Sequence, residues 1–436
     1  MSPTKTHKNI NMSFKQLDLC APLLQAIAEQ GYEQATPVQE QSIPVILQGR
    51  DILAGAQTGT GKTASFALPI LQLLHNQERP TKPRPIRTLI LTPTRELAMQ
   101  VYESFKIYGE HLPLYSEVVF GGVSTHAQIK RLQQGADILV ATPGRLLDLL
   151  NQKQVDLSQV QFFVLDEADR MLDMGFILDI RKLMNVLPRE RQNLLFSATY
   201  SQEIKTLAAQ LLNDPVEVAI ARENVAADTV TQSVYAIKKE NKRELVSWLI
   251  GHNNWQQVLI FVRTKHGADR LAKQLIKDGL RCDALHGDKS QGARSRALEN
   301  FKSGKVGVLI ATDIAARGLD IDQLPHVINF DLPAQAEDYV HRIGRTGRAG
   351  TSGEAISLVA AEEAYLLAAV EKLLAKKIPR VEDTGYETVS LDVINKPKAQ
   401  PRQNQRQRRD QNGQKKQTTN SRAGTRRPRS NNRSKG

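Results

Sequence analysis

Cysteine is nearly missing from this 436-residue chain, which has two, Cys20 and Cys282. They match no zinc-ligand spacing and cannot build a disulfide framework, so the small stapled secreted folds are excluded and a reducing, cytoplasmic setting is expected. Long apolar runs are missing too. No stretch reaches about 18 residues, so no membrane-spanning helix and no membrane partner are expected. The first twelve residues are polar and lack the apolar segment of a secretory signal, so 1–12 reads as a flexible extension. Acid is scarce in one region only. Residues 396–436 carry fourteen Lys or Arg against a single acid, Asp410, and no aromatic side chain. The formal net charge is +13, so the rest of the chain is neutral and the whole excess lies in this stretch. Such a segment cannot bury a core, and 385–436 is expected to be a disordered basic tail. Its charge suits a polyanion held by salt-sensitive phosphate neutralisation. Without aromatics it has no stacking platform, so it adds affinity rather than base preference.

What remains is ordinary in composition, 40% hydrophobic, and long enough for two or three domains. Short apolar runs alternate with helical patterns, the mark of an α/β fold with parallel sheets. They fall at 51–56, 88–92, 117–120, 138–141, 162–165 and 193–196, then at 258–262, 282–285, 306–311, 327–330 and 355–359. Residues 222–229 are polar and without periodicity, a linker between domains at 13–221 and 230–384. Residues 77–87 form a basic, proline-containing surface loop. Trp248, Tyr365 and the apolar run 366–370 are expected in a core.

The chemistry gathers behind the apolar runs. Ala56-Gln57-Thr58-Gly59-Thr60-Gly61-Lys62-Thr63 follows the first, and such a turn can wrap phosphate oxygens with its backbone N–H groups. Lys62 can reach the outer phosphates of a nucleoside triphosphate, and the Thr63 hydroxyl can hold Mg²⁺. Asp166-Glu167-Ala168-Asp169 follows the run 162–165, bringing Asp166 to the same metal and Glu167 to the attacking water. An acidic cluster alone is commonly a solvated helix start; paired with the glycine-rich turn it is not. Thr92-Pro93-Thr94-Arg95-Glu96-Leu97, Gly121-Gly122, Thr142-Pro143-Gly144-Arg145, Ser197-Ala198-Thr199, His286-Gly287 and Thr312-Asp313 also follow apolar runs directly. In open parallel sheets, ligands bind outside the carboxyl ends of strands, so these clusters should share one edge of each domain. The second half has no phosphate loop, which suggests that it completes the site of the first. Within His341-Arg342-Ile343-Gly344-Arg345-Thr346-Gly347-Arg348, four basic side chains come together at fixed offsets, an arrangement that calls for an anion.

In this order the motifs resemble the DEAD-box ATP-dependent RNA helicases across about 13–384. The string His286-Gly287-Asp288-Lys289-Ser290-Gln291-Gly292-Ala293-Arg294 is similar to the bacterial RhlE type in its Lys289 and Gly292-Ala293. The resemblance implies two tandem RecA-like domains with parallel sheets, using ATP and Mg²⁺. It assigns Gln39 to the adenine edge, Tyr32 to packing on the base with Phe14 upstream, and Asp320 of Ala316-Arg317-Gly318-Leu319-Asp320 to the ribose. Arg345 and Arg348 would be arginine fingers for the γ-phosphate. Ser197 and Thr199 would couple hydrolysis to domain closure through Asp169, with His341 beside them. Pro93, Thr94, Arg95, Gly122, Thr142, Gly144 and Arg145 on the first domain, and Arg294 and Thr312 on the second, would hold RNA phosphates and sugars without reading sequence. The implied activity is ATP-driven local separation of short RNA duplexes or remodelling of RNA–protein complexes. An ATP-gated RNA clamp or annealing chaperone is the alternative. Ribosomal precursors and the RNA-decay machinery are the partners this branch implies.

Overall fold

Two parallel sheets organise the chain, because its apolar runs are too short for helices and are flanked by turn residues on both sides. In the computed structural model the described residues are 12–55, 60–78, 83–219, 230–316, 321, 323–347, 353–382 and 385–391. The first lobe holds β1 (Ile52–Gly55), β2 (Thr88–Leu91), β3 (Ser116–Val119), β4 (Ile138–Ala141), β5 (Phe162–Leu165), β6 (Gln192–Ser197) and β7 (Val216–Ala219). They align in the order β3-β4-β2-β5-β6-β1-β7, every neighbouring pair parallel. The second lobe holds β8 (Val230–Ala236), β9 (Val258–Val262), β10 (Cys282–Leu285), β11 (Val308–Thr312), β12 (His326–Asn329) and β13 (Gly353–Val359). Their order is β10-β11-β9-β12-β13-β8, again all parallel. The two orders correspond strand for strand, with β7 as one extra edge strand on the first sheet. Both sheets belong to a single compact unit.

The central strands are buried on both faces, as helix-covered parallel sheets must be. Helices cover them so that each lobe has a core on either side of its sheet. In the first lobe Phe66, Phe105 and Phe196 lie on one side, and Phe163, Leu165 and Met171 on the other. Every strand delivers its carboxyl end to the same edge of its sheet, which is the geometric reason that the motif clusters converge.

Three expectations need correction. β7 and β8 were not foreseen. Each is an edge strand, and β8 alternates buried and exposed positions, with no continuous apolar run. Trp248 is not core: it is 54% exposed, its ring stacked on His252, whereas Leu366, Leu367 and Val370 are buried as expected and Tyr365 is partly so. Residues 385–391, expected in the tail, lie on the second lobe. Val389 N donates to Ala236 O, Glu387 pairs with Lys238, and Tyr386 packs on the core. The linker 222–229 and residues 392–436 lie outside the described residues. No helix among the described residues is long and apolar enough to cross a membrane.

Candidate nucleotide and nucleic-acid sites

β1 leads into the glycine-rich turn, and the helix Lys62–His75 leaves it. Ala56, Gln57, Thr58 and Gly59 lie outside the described residues; Thr60, Gly61, Lys62 and Thr63 are within them. Gly61 precedes the helix with φ +88°, a left-handed conformation that favours glycine. Gln39 fixes this point. Its amide donates to Gly61 O at 3.1 Å, its own oxygen accepts from Thr36 N at 2.9 Å, and a Cβ on Gly61 would collide with it. The side chain assigned to the base edge thus also braces the phosphate turn. Tyr32 is 51% exposed and free to pack on a flat ligand, with Tyr108 beside it, whose hydroxyl burial pushes up to about 12. Phe14 is 4% exposed and belongs to the first-lobe core, so it supports this segment from beneath.

The fit to a triphosphate and a metal can be judged from two atoms. Lys62 is 6% exposed, and its Nζ has no hydrogen-bond partner among the described residues. Asp166 is 2% exposed, and its Oδ1 has none either. Burial pushes the Asp166 carboxyl from 3.8 up to about 6, against the lowering pull of Lys62 and with a further push from Glu167. A buried ammonium and a buried carboxylate oxygen without partners are expensive unless a ligand supplies them. A phosphate answers the first and a hard divalent cation the second, so the residues fit ATP and Mg²⁺. Glu167, also buried, holds φ +54°, a left-handed backbone that disfavours a non-glycine residue by about 1–2 kcal/mol. Strain of this kind collects where a side chain must be aimed.

Asp169 meets the turn after β6. Asp169 Oδ2 accepts from Ala198 N at 3.1 Å, and Ser197 Oγ donates to Thr199 O at 2.7 Å, closing a tight turn after β6. An interlobe cavity of about 550 Å³ brings Asp169 and Thr199 together with His341 of the second lobe. Arg345 is 7% exposed and follows the helix Ala336–Ile343. Asp320 and Arg348 lie outside the described residues. The basic cluster finds part of its anion inside the protein. Arg342 grips Asp313 with two hydrogen bonds of 2.6 and 2.7 Å, donates to Asn329 Oδ1 at 3.0 Å, and lies over the Phe261 ring.

A second cavity, of about 610 Å³, is lined by Pro93, Thr94, Arg95, Gly122, Thr142, Gly144, Arg145 and Arg294, eight of the nine residues assigned to RNA; Thr312, at the end of β11, is not in its lining. Thr94 caps the helix Arg95–Tyr108 by accepting from Leu97 N at 3.2 Å. Gly122, with φ +78°, lies so close under the Arg95 guanidinium that a Cβ would collide with it. Arg145 donates to Val123 O at 3.1 Å, while its Nη1 is buried without a hydrogen-bond partner among the described residues. Sequence reasoning passed over Glu96, which reaches across the lobes to Arg294 at 2.9 Å and Gln291 at 3.2 Å. It also passed over Met174 and Phe176, which supply an apolar part of the wall. The signal for Glu96 was its place beside Arg95 in a cluster otherwise suited to anions.

Comparison with known proteins agrees with this geometry. The profile of the DEAD/DEAH box helicase family matches residues 36–207, and that of the helicase conserved C-terminal domain matches 240–350. The chain is 45% identical over 372 residues to the ATP-dependent RNA helicase RhlB of Pseudomonas aeruginosa, covering 84% of this chain and 93% of that one. It is 42% identical over 383 residues to the ATP-dependent RNA helicase CshA of Limosilactobacillus reuteri, covering 88% and 76%. Its fold is similar to that of S. cerevisiae Dbp5 bound to RNA and ADP BeF3, with a TM-score of 0.76 at 32% identity, covering 85% of this chain and 95% of the other.

Proposed function

This chain belongs to the DEAD-box ATP-dependent RNA helicases, and from that premise we propose that it uses ATP hydrolysis to open short RNA duplexes locally or to remodel RNA–protein complexes. The observation that carries this reading is a pair of buried charged groups, Lys62 Nζ and Asp166 Oδ1, without hydrogen-bond partners among the described residues, at the carboxyl ends of β1 and β5. Two RecA-like domains, 13–221 and 230–384 with 385–391 added to the second, close on ATP and RNA together. The likeness to Dbp5 with RNA and ADP BeF3 supports taking the described lobe arrangement as the closed one.

In that state Gln39 reads the base edge, Tyr32 packs on the base, and Asp320 approaches the ribose. Lys62 and the turn 56–61 hold the phosphates, and Glu167 orients the attacking water. Thr63 and Asp166 would hold Mg²⁺, which would supply charge neutralisation at the phosphate oxygens. Arg345 and Arg348 arrive from the second lobe. Fingers of this kind are worth about 10³–10⁵ in rate, so hydrolysis is negligible while the lobes are apart. Asp169, Ser197, Thr199 and His341 tie the occupied site to closure. On the opposite side Pro93, Thr94, Arg95, Gly122, Thr142, Gly144, Arg145, Arg294 and Thr312 hold backbone phosphates and 2′-hydroxyls, which fixes register without reading bases. Since both ligands favour one state, each tightens the other by an equal factor.

The string 286–294 supports the RhlE branch, that branch's resemblance suggests work on ribosomal precursors or decaying RNA, and the two lone cysteines support a cytoplasmic setting. The basic stretch 396–436 tethers RNA. Steady-state ATP hydrolysis alone, with saturating single-stranded RNA and with DNA of equal length is the deciding experiment. Stimulation by RNA but not DNA is expected; no stimulation by either, with ATP still bound, overturns the closure scheme.

A further inference from the structure

Charge joins the lobes at a second place, away from Glu96 and Arg294. Arg170 Nη1 donates to Asp338 Oδ1 at 2.8 Å, with side chains 8% and 14% exposed. We propose that Arg170 and Asp338 form a closure clasp, a pair of positioning residues that turns the approach of the lobes into placement of the Arg345 finger. This rests on the closure reading above and adds a residue pair to it.

The two ends of the clasp are rooted in the two halves of the machinery. Arg170 directly follows Asp169, whose Oδ1 accepts from Arg170 N at 3.0 Å and whose Oδ2 holds the turn after β6. Asp338 lies in the first turn of the helix Ala336–Ile343, where the helix dipole favours a negative charge. Arg342 occupies the last turn of that helix, and Arg345 follows its end by two residues. The helix moves as one body with the second sheet, because Arg342 is locked to Asp313, Asn329 and the Asp331 carbonyl. A pull on Asp338 therefore moves Arg345 with it. One small cavity is lined by Arg170, Asp338, Arg342 and Arg345 together, so the first-lobe guanidinium lies close to the finger itself.

The sign of the charges makes the pair necessary. Around this point the second lobe offers Arg342 and Arg345, with Asp313 committed to Arg342, beside the acids Glu337 and Asp338. Of those acids Asp338 is the one that meets the Arg170 guanidinium, so without it Arg170 would face Arg342 and Arg345 with its nearest counter-charge gone. With Asp338 in place the encounter is attractive in one register only, the use to which interfacial ion pairs are best suited. Removing one member takes from the other its nearest counter-charge in a largely buried position, a costly way to break such a pair.

The test uses the full chain with Arg170→Asp and Asp338→Arg, singly and combined, and one fluorescent label on each lobe. ATP hydrolysis is titrated with single-stranded RNA, and lobe distance is read with RNA and a non-hydrolysable ATP analogue. Each single substitution is expected to lower the closed fraction and raise the half-saturating RNA concentration by about tenfold or more. Nucleotide affinity without RNA stays within about twofold, and the charge-swapped double recovers most of the loss. Single variants that close and titrate like the parent, or a double no better than the worse single, overturn the clasp. A parent that closes on RNA but hydrolyses nothing overturns the helicase reading and leaves the clasp to be decided by lobe distance. A parent that never closes overturns the clasp.

Discussion

Lys62 and Lys242 hold corresponding places in the two lobes, yet one ammonium waits for a partner and the other already has two. β1 and β8 correspond in sheet order, and each lysine is the first residue of the helix that follows. Lys242 is 1% exposed; its Nζ donates to Phe330 O at 2.8 Å, just beyond β12, and to Glu363, just beyond β13. Arg263 closes the group by pairing with the other Glu363 oxygen at 3.1 Å. Lys62 Nζ has no such company among the described residues. The same fold can thus bury a lysine at this position in two ways. The second lobe supplies the anion from its own chain and becomes a rigid bearer of arginines. The first leaves the place open among the described residues, as the proposed receptor for phosphate requires.

The largest test of that contrast is to remove a charge from each half of the proposed ATP site. Lys62→Met and Arg345→Ala should each lower RNA-stimulated turnover by about 10³-fold or more. Arg345→Ala should leave nucleotide binding without RNA nearly intact, and Lys62→Met should not, as measured by steady-state rates and fluorescent-nucleotide titration. Comparable turnover in either variant would break the division of labour. Next, Lys242→Met should destabilise the second lobe by about 1–3 kcal/mol, because Glu363 is left buried with Arg263 as its remaining cation. Lys62→Met should destabilise the first lobe by less in the absence of nucleotide, because Lys62 Nζ makes no hydrogen bond among the described residues and only offsets the charge of Asp166. Urea unfolding of the two variants separates these outcomes.

Asp166→Asn sharpens the comparison through pH. The folded carboxyl titrates near 6 and the free one near 3.8, so the folded chain binds more protons between those values. Stability in the absence of nucleotide therefore falls as pH rises from about 4 to about 6 and carries the full penalty above that. Asparagine removes the penalty, so the variant should be more stable than the parent by up to about 3 kcal/mol at pH 7 and by little near pH 4, while losing hydrolysis. An equal difference at both pH values would refute the assignment. Smallest of all, Gly122→Ala should destabilise the first lobe by roughly 1–2 kcal/mol through its left-handed φ and, by displacing the Arg95 guanidinium, weaken RNA binding with no change in nucleotide affinity.

How far the fold could be read depended on where a strand lies in its sheet. Interior strands such as β5 and β9 announce themselves as unbroken apolar runs because both of their faces are covered. β7 carries Glu217 at its centre, and β8 alternates Val230, Thr231 and Gln232, since an edge strand need not be apolar throughout. Local strings were legible for a similar reason. Asp169 with Ser197-Ala198-Thr199, and the cluster around Arg95 and Arg145, each follow a strand end and so meet at one edge. Pairings between the lobes were not legible. Nothing near Arg170 points to Asp338 in sequence, and the reach of Glu96 to Arg294 depends on how two bodies dock. Arg342 was read as one of a group awaiting an anion, but Asp313 supplies it from the end of β11. Trp248 misled because its bulk suggests a core, while stacking on His252 leaves it at the surface.

The outer edge of β8 has a consequence for where this chain can be cut. An uncovered edge strand is a template for pairing with another molecule, the first step toward aggregation. Here the chain folds back on itself: Val234 N donates to Pro379 O, Val381 N to Val234 O and Val389 N to Ala236 O, while Ile237 bridges Thr388. A truncation after residue 384 would strip the later half of that cover and leave a sticky border, and one after 391 would keep the border sealed. Residues with no part in hydrolysis or RNA contact thereby govern whether the shortened molecule remains in solution.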